Sequence, residues 1–592
     1  MKMKENLRLF FFIAIFSIVA ISCNSLSSKK ESNENRQFFT EMWRFHAGKG
    51  IDSLWSSSSY NDSAWSVVSS RKLLIDQNEI TDLGFGWYRN KIILSDSLRH
   101  ALHFAHALVL HMGPFAAADE VYINGKLIGK TSDFPPDYKG YHDESRNYLI
   151  PEEYINPKGE NQFAIKFHDG WGKGGFIGGI IASLTSADVN DKLQLHVQVE
   201  DSDNVFFGDS LLRIHVCLKN KNRSKIHGIM YVKLTTDAYE SVYVDSVSVA
   251  IAGKDSCSGS FEYKNPFPGF YRYSVFFCRN GHNVCEQKIN VGYEPEKISS
   301  PNDARPDFKQ FWQKTLKDLA RVKPCYQMEV LPEYSKLDYK MYMVRMYSLG
   351  DELISGYYAQ PKRKGKFPVI VEYMGYGSLP YRPTQTWDGF AHFVLSVRGQ
   401  GLNLSENHYG TWITAGLNSK EDYYYHGAFA DVIRAVDFVC SRWEIDTTRI
   451  AVRGNSQGGA LTFVSAALDK RVKVAVPGIP FLSDYPDYFK IAPWPKSDFD
   501  QYMKEHPENS WEHIYELLTY FDIKNLASWI QCPVFMGFGV QDNVCPPHTN
   551  FAAYNQVKCE KRWMACPQCA HSVSSAYQQA SYQFIRDKLS VK

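Results

Sequence analysis

The sequence has almost no net charge: 66 Lys and Arg stand against 64 Asp and Glu over 592 residues. Without an excess of either sign no long-range field draws the chain onto a polyanion, so nucleic acid is excluded as an expected partner. A disulfide framework is also missing. The twelve cysteines show no regular spacing, and with Cys23 set aside an odd number remains, so at least one thiol stays free if the others pair. Cys566-Pro-Gln-Cys569 has no second CxxC to complete a zinc tetrahedron, which leaves a local disulfide or two plain cysteines and no expected metal. The chain lacks the repeated blade pattern of a β-propeller. The apolar run at residues 9–21 is too short to span a bilayer comfortably. Aromatic residues, in contrast, are plentiful at 15%, a supply that suits β-rich cores and the stacking of sugar rings alike. The length implies roughly three or four folding units.

The first residues read as a processing signal. Lys2, Lys4 and Arg8 precede the apolar run, and Ala20-Ile21-Ser22-Cys23 resembles a bacterial lipobox. The resemblance implies a signal peptide over residues 1–23, lipidation of Cys23, and an exported lipoprotein facing the outer membrane or periplasm, held by acyl chains rather than by a spanning helix. Residues 24–36 are polar, with little to bury, and are expected to form a tether.

Two all-β units are expected next. Over residues 37–187, short aromatic and apolar runs alternate with Gly, Asn and Asp turns, as in Val121-Tyr122-Ile123 followed by Asn124-Gly125. Tyr60-Asn61-Asp62-Ser63-Ala64-Trp65, Gly86-Trp87-Tyr88-Arg89 and Ala118-Asp119-Glu120-Val121-Tyr122-Ile123-Asn124-Gly125-Lys126 resemble the jelly-roll, galactose-binding-like domain found at the front of many polysaccharide-degrading enzymes. Aromatics at alternating strand positions favour a packing role over sugar binding. Residues 188–293 give a second series of strand-length segments, including Leu212-Arg213-Ile214-His215-Val216, which suggests an immunoglobulin-like sandwich with no constellation of chemical groups, a spacer. A linker with Pro295 and Pro301 leads out of it.

Residues 300–592 change character. Apolar runs at 369–373, 393–397, 450–452 and 534–538 read as buried parallel strands, and residues 427–443 place Phe429, Val432, Ile433, Val436 and Val439 on one helical face. Alternating strands and helices predict a doubly wound, mostly parallel sheet with chemistry at the carboxyl ends of its strands. Gly454-Asn455-Ser456-Gln457-Gly458-Gly459 lies between the strand at 450–452 and a helical stretch at 460–468, the setting a nucleophile elbow requires. A serine hydroxyl needs a base and a carboxylate to orient that base, in the chain order Ser, acid, His. Asp542 follows the strand at 534–538, and His571 follows the short run Arg562-Trp563-Met564. Asp487 and Asp498 compete less well because no apolar strand directly precedes either, and His506, His513 and His548 because only His571 sits in a loop following the last candidate strand. The oxyanion donors are expected to be the N–H groups of Gln457 and of Tyr376, in Met374-Gly375-Tyr376-Gly377.

Pro306-Asp307-Phe308-Lys309-Gln310-Phe311-Trp312, Arg398-Gly399-Gln400-Gly401, Asp422-Tyr423-Tyr424-Tyr425, Asp446-Thr447-Thr448-Arg449-Ile450, the elbow itself and Pro480-Phe481 together resemble the acetyl xylan esterase and cephalosporin C deacetylase family, carbohydrate esterase family seven. The resemblance implies an α/β-hydrolase that removes acetyl groups from a carbohydrate such as acetylated xylan, needs no cofactor, and uses Arg398, Gly399 and Gln400 to buttress the active-site loops. Two departures stand beside the pocket: Met374 replaces the usual His of His-Gly-Tyr, and Ser572 replaces the Glu that follows the histidine. Two other readings remain open at this point. One is a peptidase or longer-acyl esterase on the same fold, and the other is a catalytically silent glycan-binding protein.

Overall fold

The computed structural model describes residues 36–591 apart from 78, 80–83, 117, 135–144, 170–174, 177–181, 209–210 and 384–388. Cys23 and the lipobox lie outside the described residues. Among the described residues no helix is long and apolar enough to cross a membrane.

The N-terminal region is built almost wholly of β-sheet. A six-stranded sheet and a five-stranded sheet come first, and Trp43, Phe45, Tyr88, Phe163, Ile165 and Phe167 fill the space between them. The expected hairpin is present: strands Ala118–Ile123 and Lys126–Thr131 pair Ile123 with Lys126 across Asn124 and Gly125. Both turn residues have positive φ, 49° and 80°, which is why Asn-Gly suits a two-residue turn whose twist matches the strands. Arg89 is buried and explains part of the aromatic motif around it. Its guanidinium pairs with Asp62, donates to the carbonyls of Trp55, Ser57 and Tyr60, and lies over the Tyr60 and Trp65 rings.

A second sandwich follows, with a three-stranded sheet facing a five-stranded one across Leu212, Ile214, Val232, Tyr273, Val275 and Val291. Alternation along Leu211–Asn220 sends every second residue into this core.

The C-terminal region is an α/β-hydrolase fold around one nine-stranded sheet. Strands Gln327–Val330, Tyr339–Tyr347 and Leu353–Pro361 are antiparallel; Ala391–Ser396, Phe367–Tyr373, Ile445–Asn455, Val474–Gly478, Val534–Gly539 and Lys561–Cys566 then run parallel, in that spatial order. Ala391–Ser396, Phe367–Tyr373, Val474–Gly478, Val534–Gly539 and the 450–452 stretch of Ile445–Asn455 are buried on both faces, so they read as continuous apolar runs rather than alternating ones. Helices Phe308–Arg321, Tyr424–Cys440 and Gln457–Leu468 contribute buried residues to the largest core, and Ser575–Lys588 packs through Tyr577, Phe584 and Ile585 into a second one. The linker does not hang free. Asn555 donates to the carbonyls of Pro295 and Ile298, and the Trp563 indole donates to Glu296.

Candidate active site

Ile445–Asn455 runs straight into the helix Gln457–Leu468, and Ser456 between them has φ 59° and ψ −121°. A side chain at positive φ is strained, and the surroundings must hold it there. They do so by close approach. A Cβ on Gly458 would come within 2.0 Å of the Tyr373 carbonyl, and one on Gly459 within 2.4 Å of the Gly478 carbonyl. The elbow is also pinned by main-chain bonds, from Ser456 N–H to the Gly478 carbonyl at 3.0 Å and from Phe481 N–H to the Ser456 carbonyl at 3.1 Å. Ser456 is thereby lifted above the sheet edge, half-buried, at the carboxyl end of its strand.

Ser456 Oγ lies 3.0 Å from His571 Nε2, and His571 Nδ1 lies 2.9 Å from Asp542 Oδ2. The buried carboxylate can only accept, so the imidazole proton belongs on Nδ1, which leaves Nε2 free to accept from the serine hydroxyl. Asp542 is fixed on its other side as well, where Oδ1 accepts the N–H groups of Val544 and Cys545 at 2.8 and 2.9 Å. Burial opposes a positive charge on His571, but the adjoining Asp542 carboxylate, together with Cys545, outweighs it and holds the imidazole pKa well above its ordinary value. Ser456, His571 and Asp542, chosen from sequence, are therefore joined in one line of hydrogen bonds.

Gln457 follows the serine directly at the start of its helix, and Tyr376 lies on the loop after Phe367–Tyr373. Neither main-chain N–H donates to a main-chain acceptor among the described residues. The Tyr376 ring packs against Trp412 and Trp494 with centroids 5.1 and 5.4 Å apart, and burial pushes its phenol up to about 12. The Gln457 side chain turns inward and forms a reciprocal amide pair with Gln400 at 3.1 and 3.2 Å. Gln400 also accepts from the Gly377 N–H at 3.0 Å, so one side chain joins the loop after Phe367–Tyr373 to the start of the helix Gln457–Leu468. Beneath it, Arg398 is held by Asp431 through its Nε and Nη2, at 3.0 and 2.7 Å, and Tyr424 donates to the Arg398 carbonyl. Gly399, between Arg398 and Gln400, takes φ 63°. Arg398 thus supports the loops without approaching the serine as a hydrogen-bond partner. Met374 turns away from solvent, and its sulfur accepts from Ser396 Oγ at 3.2 Å. The Ser572 hydroxyl is buried without a partner.

Sequence reasoning did not single out Cys545. Its Sγ lies 3.9 Å from Ser456 Oγ and 3.8 Å from the Tyr488 hydroxyl. The only available signal was its place three residues beyond Asp542, where the chain turns into the helix Pro547–Tyr554. Among the described residues one group has metal-ligand spacing, Asp484, Asp487 and His548, with one donor atom each within 4.8 Å of the others. Each is already paired: Asp484 with Lys524, Asp487 with Lys490, and His548 with Asp237.

A hydroxyl, an imidazole and a carboxylate in line at the carboxyl edge of this sheet define a hydrolase centre of the α/β class. Residues 293–588 match the acetyl xylan esterase (AXE1) family, and the chain belongs to that family; it is an esterase. Acetyl esterase Axe7A of Xylanibacter ruminicola is 27% identical over 306 residues, which cover 49% of this chain and 69% of that protein. The acetyl xylan esterase from Paenibacillus sp. R4 is 30% identical over 50% of this chain and 98% of its own, with a TM-score of 0.46. Acetyl xylan esterase 1 from Thermoanaerobacterium sp. JW/SL YS485 is 27% identical over 50% and 97%, with a TM-score of 0.44.

Proposed function

We propose that the chain is a serine esterase that removes O-acetyl groups from a carbohydrate of the acetylated-xylan class. The observation that carries this reading is the unbroken line Ser456 Oγ, His571, Asp542 at 3.0 and 2.9 Å. In the proposed cycle His571 Nε2 takes the hydroxyl proton as Ser456 attacks the acetyl carbonyl. Asp542 stabilises the imidazolium that results, and the N–H groups of Tyr376 and Gln457 receive the oxyanion. The imidazolium then protonates the departing sugar oxygen. Water, activated by the same imidazole, releases acetate and restores the serine. Every step is assigned to this chain's own residues. The relatives' names supply the acetyl group and the xylan, and the lipobox-like Cys23 supports an exported, membrane-tethered enzyme that works on extracellular or periplasmic glycan.

Replacing Ser456 with Ala should lower hydrolysis of nitrophenyl acetate by roughly 10³-fold or more, with folding intact by circular dichroism. Turnover equal to wild type would overturn the assignment. Acetate release from a panel of acetylated polysaccharides tests the substrate. A clear preference for butyrate esters or peptide amides would replace the deacetylase reading with a longer-acyl esterase or a peptidase.

A further inference from the structure

The second β-sandwich touches the loops that carry Asp542 and His571, and one side chain makes most of that connection. Gln541 stands immediately before Asp542. Its Oε1 accepts from the Asn290 N–H at 2.7 Å and its Nε2 donates to the Asn290 carbonyl at 3.1 Å, so the carboxamide docks on the strand His282–Tyr293 as another peptide group would. The same Nε2 donates to the Pro567 carbonyl at 2.7 Å. Pro567 lies on the loop that leads to His571, and its carbonyl receives a second donor from the sandwich, the Asn204 amide at 3.2 Å, from a residue that is itself buried. The main chain of Gln541 closes the arrangement, with its N–H on the Cys569 carbonyl at 3.0 Å.

We infer that Gln541 is a positioning residue for the hydrolytic centre, and that the sandwich works as a fixed wall against which the acid loop and the histidine loop are set in register. The inference rests on the triad reading above. Asp542 and His571 sit on separate loops, and the 2.9 Å bond between them survives only if those loops hold their separation. A shift of about 1 Å in such a pair can cost on the order of 10²-fold in rate. Gln541 is bonded to both loops and to a third body, so neither loop can move without breaking its contacts. A spacer would need none of these bonds.

The test uses the full chain and four variants. Gln541→Ala should lower kcat for nitrophenyl acetate about 10- to 100-fold with KM changed by less than about threefold. The acidic limb of its kcat/KM profile should move to lower pH, because a loosened Asp542 stabilises the imidazolium less. Gln541→Glu keeps an acceptor for the Asn290 N–H but loses the donor and sets a carboxylate against two carbonyls, so it should be no better than Ala. Asn204→Ala should move kcat and the acidic limb in the same direction by a smaller amount, and it carries the test if the Gln541 variants are insoluble. Wild-type kcat and an unmoved acidic limb in the soluble variants, with native circular dichroism, would overturn the inference and reduce these contacts to ordinary interdomain bonds. Ser456→Ala is the fourth variant: if it retains wild-type turnover, the triad reading itself falls, and that outcome is distinct from the failure of the Gln541 inference.

Discussion

At the scale of single residues, the proposed chemistry depends on how tightly His571 holds its proton. The buried Asp542 beside it favours the charged ring, so the pKa is raised above 6.5. A charged ring cannot accept the serine proton. Activity should therefore disappear as pH falls, with the acidic limb of kcat/KM centred above 6.5, and a pH series with nitrophenyl acetate checks this. Asp542→Asn should lower kcat by about 10⁴ by favouring the wrong tautomer and should move the limb downward. Ser456, Asp542 and His571 could be picked from sequence because each is tied to a readable local setting: a glycine-flanked elbow, or a loop just past an apolar strand. Cys545 and Gln541 could not. Their neighbours are 89 and 251 residues away in the chain, and nothing beside a lone cysteine or glutamine announces such a partner.

At the scale of elements, the support beneath the site is a buried ion pair. Arg398 and Asp431 are 8% and 0% exposed in their side chains. Asp431→Ala would leave a guanidinium buried and unneutralised, at a cost of about 3–5 kcal/mol, read as a lower midpoint in urea. Kinetic loss should accompany it, since Arg398 holds the loop from which Gln400 reaches both Gly377 and Gln457. Four of the six parallel strands were legible as apolar runs because two-sided burial leaves such runs unbroken; Val474–Gly478 was not picked out, and Lys561–Cys566, exposed at its start, showed only as the short run Arg562-Trp563-Met564. The helix read at 427–443 instead spans Tyr424–Cys440. Its first turn carries aromatic residues whose hydroxyls are used, Tyr424 on the Arg398 carbonyl and Tyr425 on Gln457 Oε1. Periodicity of apolar residues does not register a tyrosine whose value to the fold is a hydrogen bond.

At the scale of the whole molecule, the second sandwich and the hydrolase share a core. Phe270, from the sandwich strand Gly269–Arg279, packs against Phe538 and Phe551 with centroids 6.1 and 6.0 Å away, and Phe207 stacks on Trp563 at 6.1 Å. The two should unfold together in calorimetry. Phe270→Ala should cost about 3–5 kcal/mol and separate the endotherm into two. The expectation of a spacer came from a segment without reactive groups, and the contacts that give it work to do are main-chain carbonyls and a buried ring, neither of which a sequence displays.

The shared ring also bears on synthesis. A ribosome releases the sandwich long before the strand that covers Phe270 exists, since some 251 residues separate Asn290 from its partner Gln541. During that interval the nascent chain presents a bare benzyl group and an unmated strand edge, a surface suited to transient chaperone capture.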